Sequence, residues 1–173
     1  MGHSDPSTLT FDDHLEITEL IHMYCAAVDG YDIEQLVNVF TPDGSMCFTS
    51  GERGMVIGHD ALRRRLARVL SGFEATSHHV SNIRIAAVDD QSNTATGVTY
   101  LYAWHRFVDD RPDGWLWGRY HDQFEHGPAG WKLKVRVLRI VGEQNFAMPW
   151  NPAATGLRPN AVQSISQPPS TTE

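Results

Sequence analysis

The chain has 173 residues, 41% of them hydrophobic and 20% charged, which is the ordinary composition of one globular domain with a substantial core. The formal net charge of −7 and the lack of a basic stripe argue against nucleic acid as a partner, and no run of like charge suggests a membrane surface. No apolar run reaches about 20 residues and the start MGHSDPSTLTFDDH lacks the apolar core of a signal peptide, so we expect a cytoplasmic protein. Cys25 and Cys47 show neither redox nor zinc spacing and are expected to be buried thiols.

The first predicted element is a helix over residues 11–29. Thr10 is suited to cap it, with Asp13 in the capping-box position. Its apolar stripe consists of Ile17, Leu20, Ile21, Tyr24, Cys25 and Val28. Asp29 lies one turn after Cys25, on the same stripe. The pattern therefore puts a carboxylate at the end of an inward-facing surface, an unusual position for Asp.

Two more helices and a short strand are predicted next. After Gly30, a short helix carries Leu36, Val37 and Phe40 on one face, and the turn TPDG leads into a strand around SMCFTS. A third helix follows over residues 59–70. Its arginines, expected to be solvated rather than functional, are Arg63, Arg64, Arg65 and Arg68.

From residue 77 onward the period becomes that of strands. Turn sequences DDQSN, DDRPDG and HGPAG separate four stretches, 77–89, 94–108, 114–126 and 130–142. Helices followed by an antiparallel sheet indicate an α+β fold, with three helices packed on one strongly curved sheet around a small-molecule pocket. We expect one domain over residues 1–150, followed by a Pro/Ser/Thr-rich tail over 151–173.

Two strands carry histidines among apolar neighbours. In TSHHVSNIRIAAV, strict alternation puts His79 on the face of Ile83 and Ile85, so His79 is expected to point inward and His78 outward. In GVTYLYAWHRFV, His105 shares a face with residues 101, 103 and 107, which are all apolar. Both His79 and His105 are therefore predicted to be buried imidazoles.

Asp29, His79 and His105 lie on three elements of one small domain and are predicted to share a site. Each alone is more often a satisfied polar group of the core, but together they favour acid–base chemistry. We expect a His105–Asp29 dyad to act as the base and His79 to protonate the leaving group. No cofactor or metal is expected, because the chain has no Gly-rich phosphate loop and its histidines lack ligand spacing.

The order of four segments resembles a known superfamily. The segments YCAAVDGYDIEQLVNVFTPDG, SHHVSNI, GVTYLYAWHRF and GRYHDQFEHGPAGWKL follow one another as in the SnoaL-like, scytalone dehydratase-like branch of the nuclear transport factor two-like superfamily, over residues 10–145. The resemblance implies a cone-shaped α+β barrel and a homo-oligomer. It matches Asp29, His105 and His79 to the catalytic Asp, dyad His and second His of the dehydratase.

The departures from that family concern its substrate contacts. The two tyrosines that polarise the dehydratase substrate match Val28 and Phe48 here, and its substrate-binding Ser and Asn match Gly118 and Tyr120. Tyr24 is the preferred replacement donor, since its spacing from Asp29 resembles that of bacterial steroid dehydratases. The predicted substrate-binding residues are Val28, Phe48, Tyr102, Trp117 and Tyr120.

These residues predict a cofactor-independent lyase of the dehydratase type, acting on a small hydroxylated cyclic or aromatic substrate. An isomerase, a cyclase, a carbon–carbon lyase and a non-catalytic binding protein stay open as alternatives. We also expect a homodimer or homotrimer, because Trp104, Trp115 or Trp117 would otherwise leave one side of the sheet apolar and exposed.

Overall fold

A computed structural model describes residues 9–47, 54–88 and 91–146. The helices are α1 (Phe11–Asp29), α2 (Ile33–Asn38) and α3 (His59–Leu70). The strands are β1 (Phe40–Cys47), β2 (Met55–Ile57), β3 (Phe73–Val88), β4 (Gln91–Phe107), β5 (Gly114–Gly127) and β6 (Gly130–Gln144).

The strands form one mixed sheet in the order β2-β1-β6-β5-β4-β3. β1 runs parallel to β6, and the other neighbours are antiparallel. The sheet is curved but unclosed, and its concave face packs against the helices. This arrangement confirms the predicted α+β fold of three helices on a strongly curved, mostly antiparallel sheet.

The start of α1 is fixed by the predicted capping box. The Thr10 hydroxyl accepts a hydrogen bond from the Asp13 backbone N–H, and the Asp13 carboxylate accepts one from the Thr10 backbone N–H. The same carboxylate accepts a hydrogen bond of 2.8 Å from the indole of Trp131 on β6. One side chain thus both caps the helix and ties it to the sheet.

Some predicted boundaries were wrong. Phe40 begins β1 instead of ending the second helix, and TPDG forms an irregularity inside that strand, not a turn before it. β3 begins at Phe73 because its first residues already pair with the end of β4.

Phe48 and the predicted tail at 151–173 lie outside the described residues. No described helix is long and apolar enough to cross a membrane, and the cytoplasmic location stays a prediction.

A β-bulge at Asn82 reverses the alternation of β3. Ser81 pairs with Tyr100 and Arg84 with Val98, so β3 contains one more residue than β4 between these pairs. Asn82 adopts the left-handed conformation, with φ of 48°. From Thr76 to Val80 the inward-facing residues consequently have even numbers, and after the bulge they have odd numbers, since paired residues share a face and the odd residues of β4 are the buried ones.

Asn82 tolerates this conformation better than a β-branched residue, which gives a test of the bulge. Asn82→Val should lower the free energy of unfolding by about 1–2 kcal/mol, whereas Asn82→Gly should leave it within about 0.5 kcal/mol or raise it. Urea unfolding of the two variants measures the difference. Equal stabilities would show that residue 82 does not need a positive φ.

Candidate active site

A cavity of about 310 Å³ lies between the helices and the concave face of the sheet. This volume suits a small organic ligand. Most of its lining is aliphatic or aromatic, and the polar side chains inside it are those of Tyr24, His78, His105 and Tyr120. The cavity is therefore an apolar chamber with a few polar groups.

Asp29 is held at the end of α1 by three hydrogen bonds from β3. Its carboxylate accepts from the hydroxyl of Thr76 at 2.7 Å and from the backbone N–H of His78 at 2.8 Å. The third contact joins Oδ1 to Nδ1 of the His78 ring at 2.6 Å. A carboxylate at a helix C-terminus is opposed by the helix dipole, so these donors offset an unfavourable position.

The same hydrogen bonds set the protonation of the pair. Burial alone would raise the pKa of Asp29, but the hydrogen bonds from His78 and Thr76 outweigh it and hold the pKa below its usual range. The carboxylate is thus ionised near neutral pH and can only accept. In the neutral form of the His78 ring the proton accordingly lies on Nδ1, which leaves Nε2 as an acceptor.

His105 lies beside His78 but is not bonded to Asp29. The two imidazole rings meet edge to face, with centroids 5.3 Å apart. Phe73 and Phe146 enclose His105, each with its ring centroid 4.7 Å away, and Nδ1 of His105 has no hydrogen-bond partner among the described residues. Burial lowers the pKa of His105 to about 4, and electrostatic repulsion from His78 contributes a smaller part of this shift. The negative charge of Asp29 acts in the opposite direction, but its effect is weaker.

The predicted orientation of the two adjacent histidines was wrong. His78 lines the cavity, whereas the exposed ring of His79 lies on the opposite face of the sheet, 3.0 Å from the Ser77 hydroxyl. The prediction carried the face of Ile83 and Ile85 back to residue 79 across the bulge at Asn82, which reverses it. The expected pairing of Asp29 with His105 was wrong as well, because the ring that Asp29 contacts is that of His78.

Tyr24 and Tyr120 form one wall of the cavity and enclose a buried ion pair behind it. Arg136 lies between their rings, 4.1 Å from each centroid. Its guanidinium donates to both carboxylate oxygens of Asp122 at 2.9 and 2.7 Å, and both side chains are fully buried. Burial opposes the charge on Arg136, but Asp122 holds its pKa above the usual range. Burial raises the pKa of Tyr24, so its phenol stays protonated.

The other predicted ligand-binding residues separate into two groups. Val28 and Tyr120 line the cavity, and their contact with a substrate stays a prediction. Tyr102 and Trp117 do not, because they occupy the other face of the sheet, where their rings contact each other and are 40% and 41% exposed. No group of three or more His, Cys, Asp or Glu side chains in the described part of the chain is arranged to hold a metal ion.

Sequence reasoning also missed the Asp122–Arg136 pair. Asp122 was detectable, since it continues the even-numbered stripe of Leu116 and Tyr120 on β5. Arg136 was not, because the register of β5 and β6 shifts by one residue near Gln123, so the buried face of β6 changes from odd to even numbers.

Comparison with known proteins agrees with this architecture. The family model of the SnoaL-like domain matches residues 10–137. An uncharacterized protein of Mycobacterium tuberculosis is 29% identical over 133 residues, which cover 76% of this chain and 87% of that protein.

Two solved structures illustrate the likeness. A candidate scytalone dehydratase from Novosphingobium aromaticivorans is 28% identical, with a TM-score of 0.71 and coverage of 81% of this chain and 94% of that one. A hexachlorocyclohexane dehydrochlorinase from Novosphingobium barchaimii is 16% identical, with a TM-score of 0.67 and coverage of 83% and 99%, a likeness of fold alone.

Helices on a curved, unclosed sheet around an apolar chamber define the cone fold of the nuclear transport factor two-like superfamily. Within that superfamily, the chain belongs to the SnoaL-like domain family.

The lowered pKa of His105 predicts a loss of stability in mild acid. The unfolded chain takes up a proton on this residue near pH 6.5, but the folded protein resists it until about pH 4. The free energy of unfolding should therefore fall as pH decreases through this window, by at most about 3 kcal/mol from His105. The ionised Asp29 also stabilises the fold, and because its pKa is lowered, this contribution is lost only below pH 3.8, the usual pKa of an aspartate.

Urea unfolding at several pH values measures this effect. His105→Asn removes the titrating group, so its stability should depend less on pH between 6.5 and 4 than that of the wild type. The matched control is His79→Asn, which removes an exposed imidazole and should keep the wild-type dependence. An unchanged dependence in His105→Asn would contradict the burial argument.

Proposed function

We propose that the protein is a cofactor-independent lyase of the dehydratase type, acting on a small hydroxylated cyclic or aromatic molecule. The observation that carries the proposal is the 2.6 Å contact between Asp29 and the ring of His78 at an apolar chamber. The likeness to a candidate scytalone dehydratase, a protein whose name denotes removal of water, supports the same class of reaction.

His78 is proposed as the base. Asp29 orients its ring and keeps the proton on Nδ1, so Nε2 can accept a proton from a C–H group of the substrate. The carboxylate also stabilises the imidazolium that forms. No metal is required for this step where the carbonyl or aromatic ring of the substrate stabilises the negative charge.

The return of the proton to the substrate is assigned to His78 as well, not to His105. With a pKa of about 4, His105 is neutral at pH 7 and has no readily released proton. The imidazolium of His78 therefore protonates the departing hydroxyl, so that the C–H and C–O bonds break, a C=C bond forms and water leaves. His105 is proposed to orient the substrate through a hydrogen bond from its neutral ring.

Tyr24 is proposed to hold the substrate carbonyl. Its phenol stays protonated, and its hydroxyl contacts Met46 Sδ at 3.6 Å, a weak acceptor that a carbonyl oxygen can replace. The buried Asp122–Arg136 pair fixes the ring from behind. Removing this hydroxyl should therefore weaken binding of the transition state without removing the base.

Substitutions of His78 and Asp29, the proposed acid–base pair, test the proposal. His78→Ala and Asp29→Asn should each lower turnover by about 10²–10⁴-fold, and the double variant should be little worse than His78→Ala, because Asp29 acts through the imidazole. The assay is loss of 18 Da from a panel of cyclic β-hydroxy ketones and hydroxylated aromatic compounds, followed by mass spectrometry. Circular dichroism checks that the variants are folded.

The matched control is the neighbouring residue. His79→Ala should change turnover by less than about threefold, as expected for a surface position. Equal damage from His79→Ala and His78→Ala would overturn the assignment of the base. Products of unchanged mass would favour isomerisation by the same dyad, and ligand binding without turnover by the folded wild type would favour a binding protein.

A homodimer or homotrimer is proposed from the outer face of the sheet. Tyr100, Tyr102 and Trp117 are each about two-fifths exposed there and extend across β4 and β5. Light scattering should give two or three times the chain mass of 19.4 kDa, and Trp117→Glu should shift the protein toward the monomer. A monomeric wild type at micromolar concentration would contradict this proposal.

A further inference from the structure

The opening of the cavity is marked by two arginines. Most of the lining residues are buried or half-buried, and the two exposed ones are Arg65 on α3 and Arg111 in the turn between β4 and β5. Exposed residues of a cavity lining lie where it meets solvent, so these two define the rim. The rim is therefore cationic, in a chain whose formal net charge is −7.

The two guanidinium groups differ in how far their charge is compensated. Arg111 donates to both carboxylate oxygens of Asp109 at 2.6 Å and lies 4.3 Å from the ring centroid of Phe107. Arg63, two residues before Arg65, is similarly paired with Glu34 and Asp60. Arg65 makes no side-chain hydrogen bond or ion pair with any residue in the described ranges. Among the described residues, nothing compensates this positive charge at the rim.

We propose that Arg65 binds a carboxylate of the ligand and that the natural substrate is a cyclic or aromatic carboxylic acid. This inference rests on the proposed function, since it takes the ligand of the cavity to be the substrate. A planar guanidinium forms two parallel hydrogen bonds with a carboxylate, and its single charge matches a monoanion better than a doubly charged phosphate.

Arg65 at the rim would bind the carboxylate at a distance from the histidines that act on the ring. The apolar chamber takes the ring, His78 and His105 lie inside it, and the carboxylate stays at the rim next to water. The acid group is consequently remote from the reacting carbon, where binding energy can orient the ring against the base. Arg65 is exposed, as expected for the arginines of this helix, and the proposal gives it a ligand-binding role in addition.

A pair of ligands that differ in charge tests the inference. The probes are 2-naphthoate and 2-naphthamide, which share one ring system, and binding is measured by calorimetry and by NMR of the His105 ring at pH 7.5. The wild type should bind the acid about tenfold more tightly than the amide, a difference of about 1.4 kcal/mol. Arg65→Gln should reduce this preference to less than about twofold while leaving amide affinity unchanged.

Arg64→Gln is the matched control, because Arg64 is an exposed arginine of the same helix that does not line the cavity. It should keep the full preference for the acid, which rules out a general effect of net charge. Equal binding of acid and amide, a preference that survives Arg65→Gln, or no binding of either probe overturns the inference. Amide binding that perturbs the His105 ring without a preference for the acid rejects the role of Arg65 alone and leaves the proposed function standing.

Discussion

The carboxylate of Asp29 joins the end of α1 to β3 through three hydrogen bonds, and the geometry of the cavity depends on this connection. The helix dipole opposes a negative charge at this end, and partial burial opposes it further. Donors from Thr76 and from the backbone and ring of His78 make the ionised form the favoured one. The same contacts that hold the helix on the sheet therefore fix the tautomer of His78. Stability and the proposed chemistry share one carboxylate.

His78 and His105 have different environments, although their rings are neighbours in the cavity. His78 has an ionised partner within 2.6 Å, whereas His105 is enclosed by Phe73 and Phe146 and its Nδ1 has no hydrogen-bond partner in the part of the chain that the structure describes. The ring centroids of the two histidines are 5.3 Å apart, and burial together with a smaller repulsion from His78 lowers the pKa of His105 to about 4, so the ring of His105 is neutral near pH 7. On another side of the cavity, Arg136 lies between the rings of Tyr24 and Tyr120, and its ion pair with Asp122 is fully buried behind them. It fixes the shape of the wall without exposing its own charges to the cavity.

The fold and the position of Asp29 could be predicted from the sequence because they depend on local patterns. The capping box at Thr10 and Asp13, the 3.6-residue period of α1 and the turn sequences between strands are all local signals. The choice between His78 and His79 could not be predicted by alternation, since it depends on one additional residue at Asn82. A similar register shift hid Arg136. Bulges are set by pairing with the neighbouring strand, so a single strand read alone does not reveal which face its residues take.

The hydrogen bond from His78 to Asp29 can be observed directly by NMR of ¹⁵N-labelled protein, through the long-range couplings between ring protons and ring nitrogens. The predicted result is a neutral His78 ring with its proton on Nδ1, a low-field Nδ1–H signal that exchanges slowly, and loss of that signal in Asp29→Asn. His79 should give an ordinary solvent-exposed pattern that Asp29→Asn does not change. A His78 ring with its proton on Nε2, or an Nδ1–H signal that Asp29→Asn leaves intact, would contradict the assignment of Asp29 and His78 as the acid–base pair.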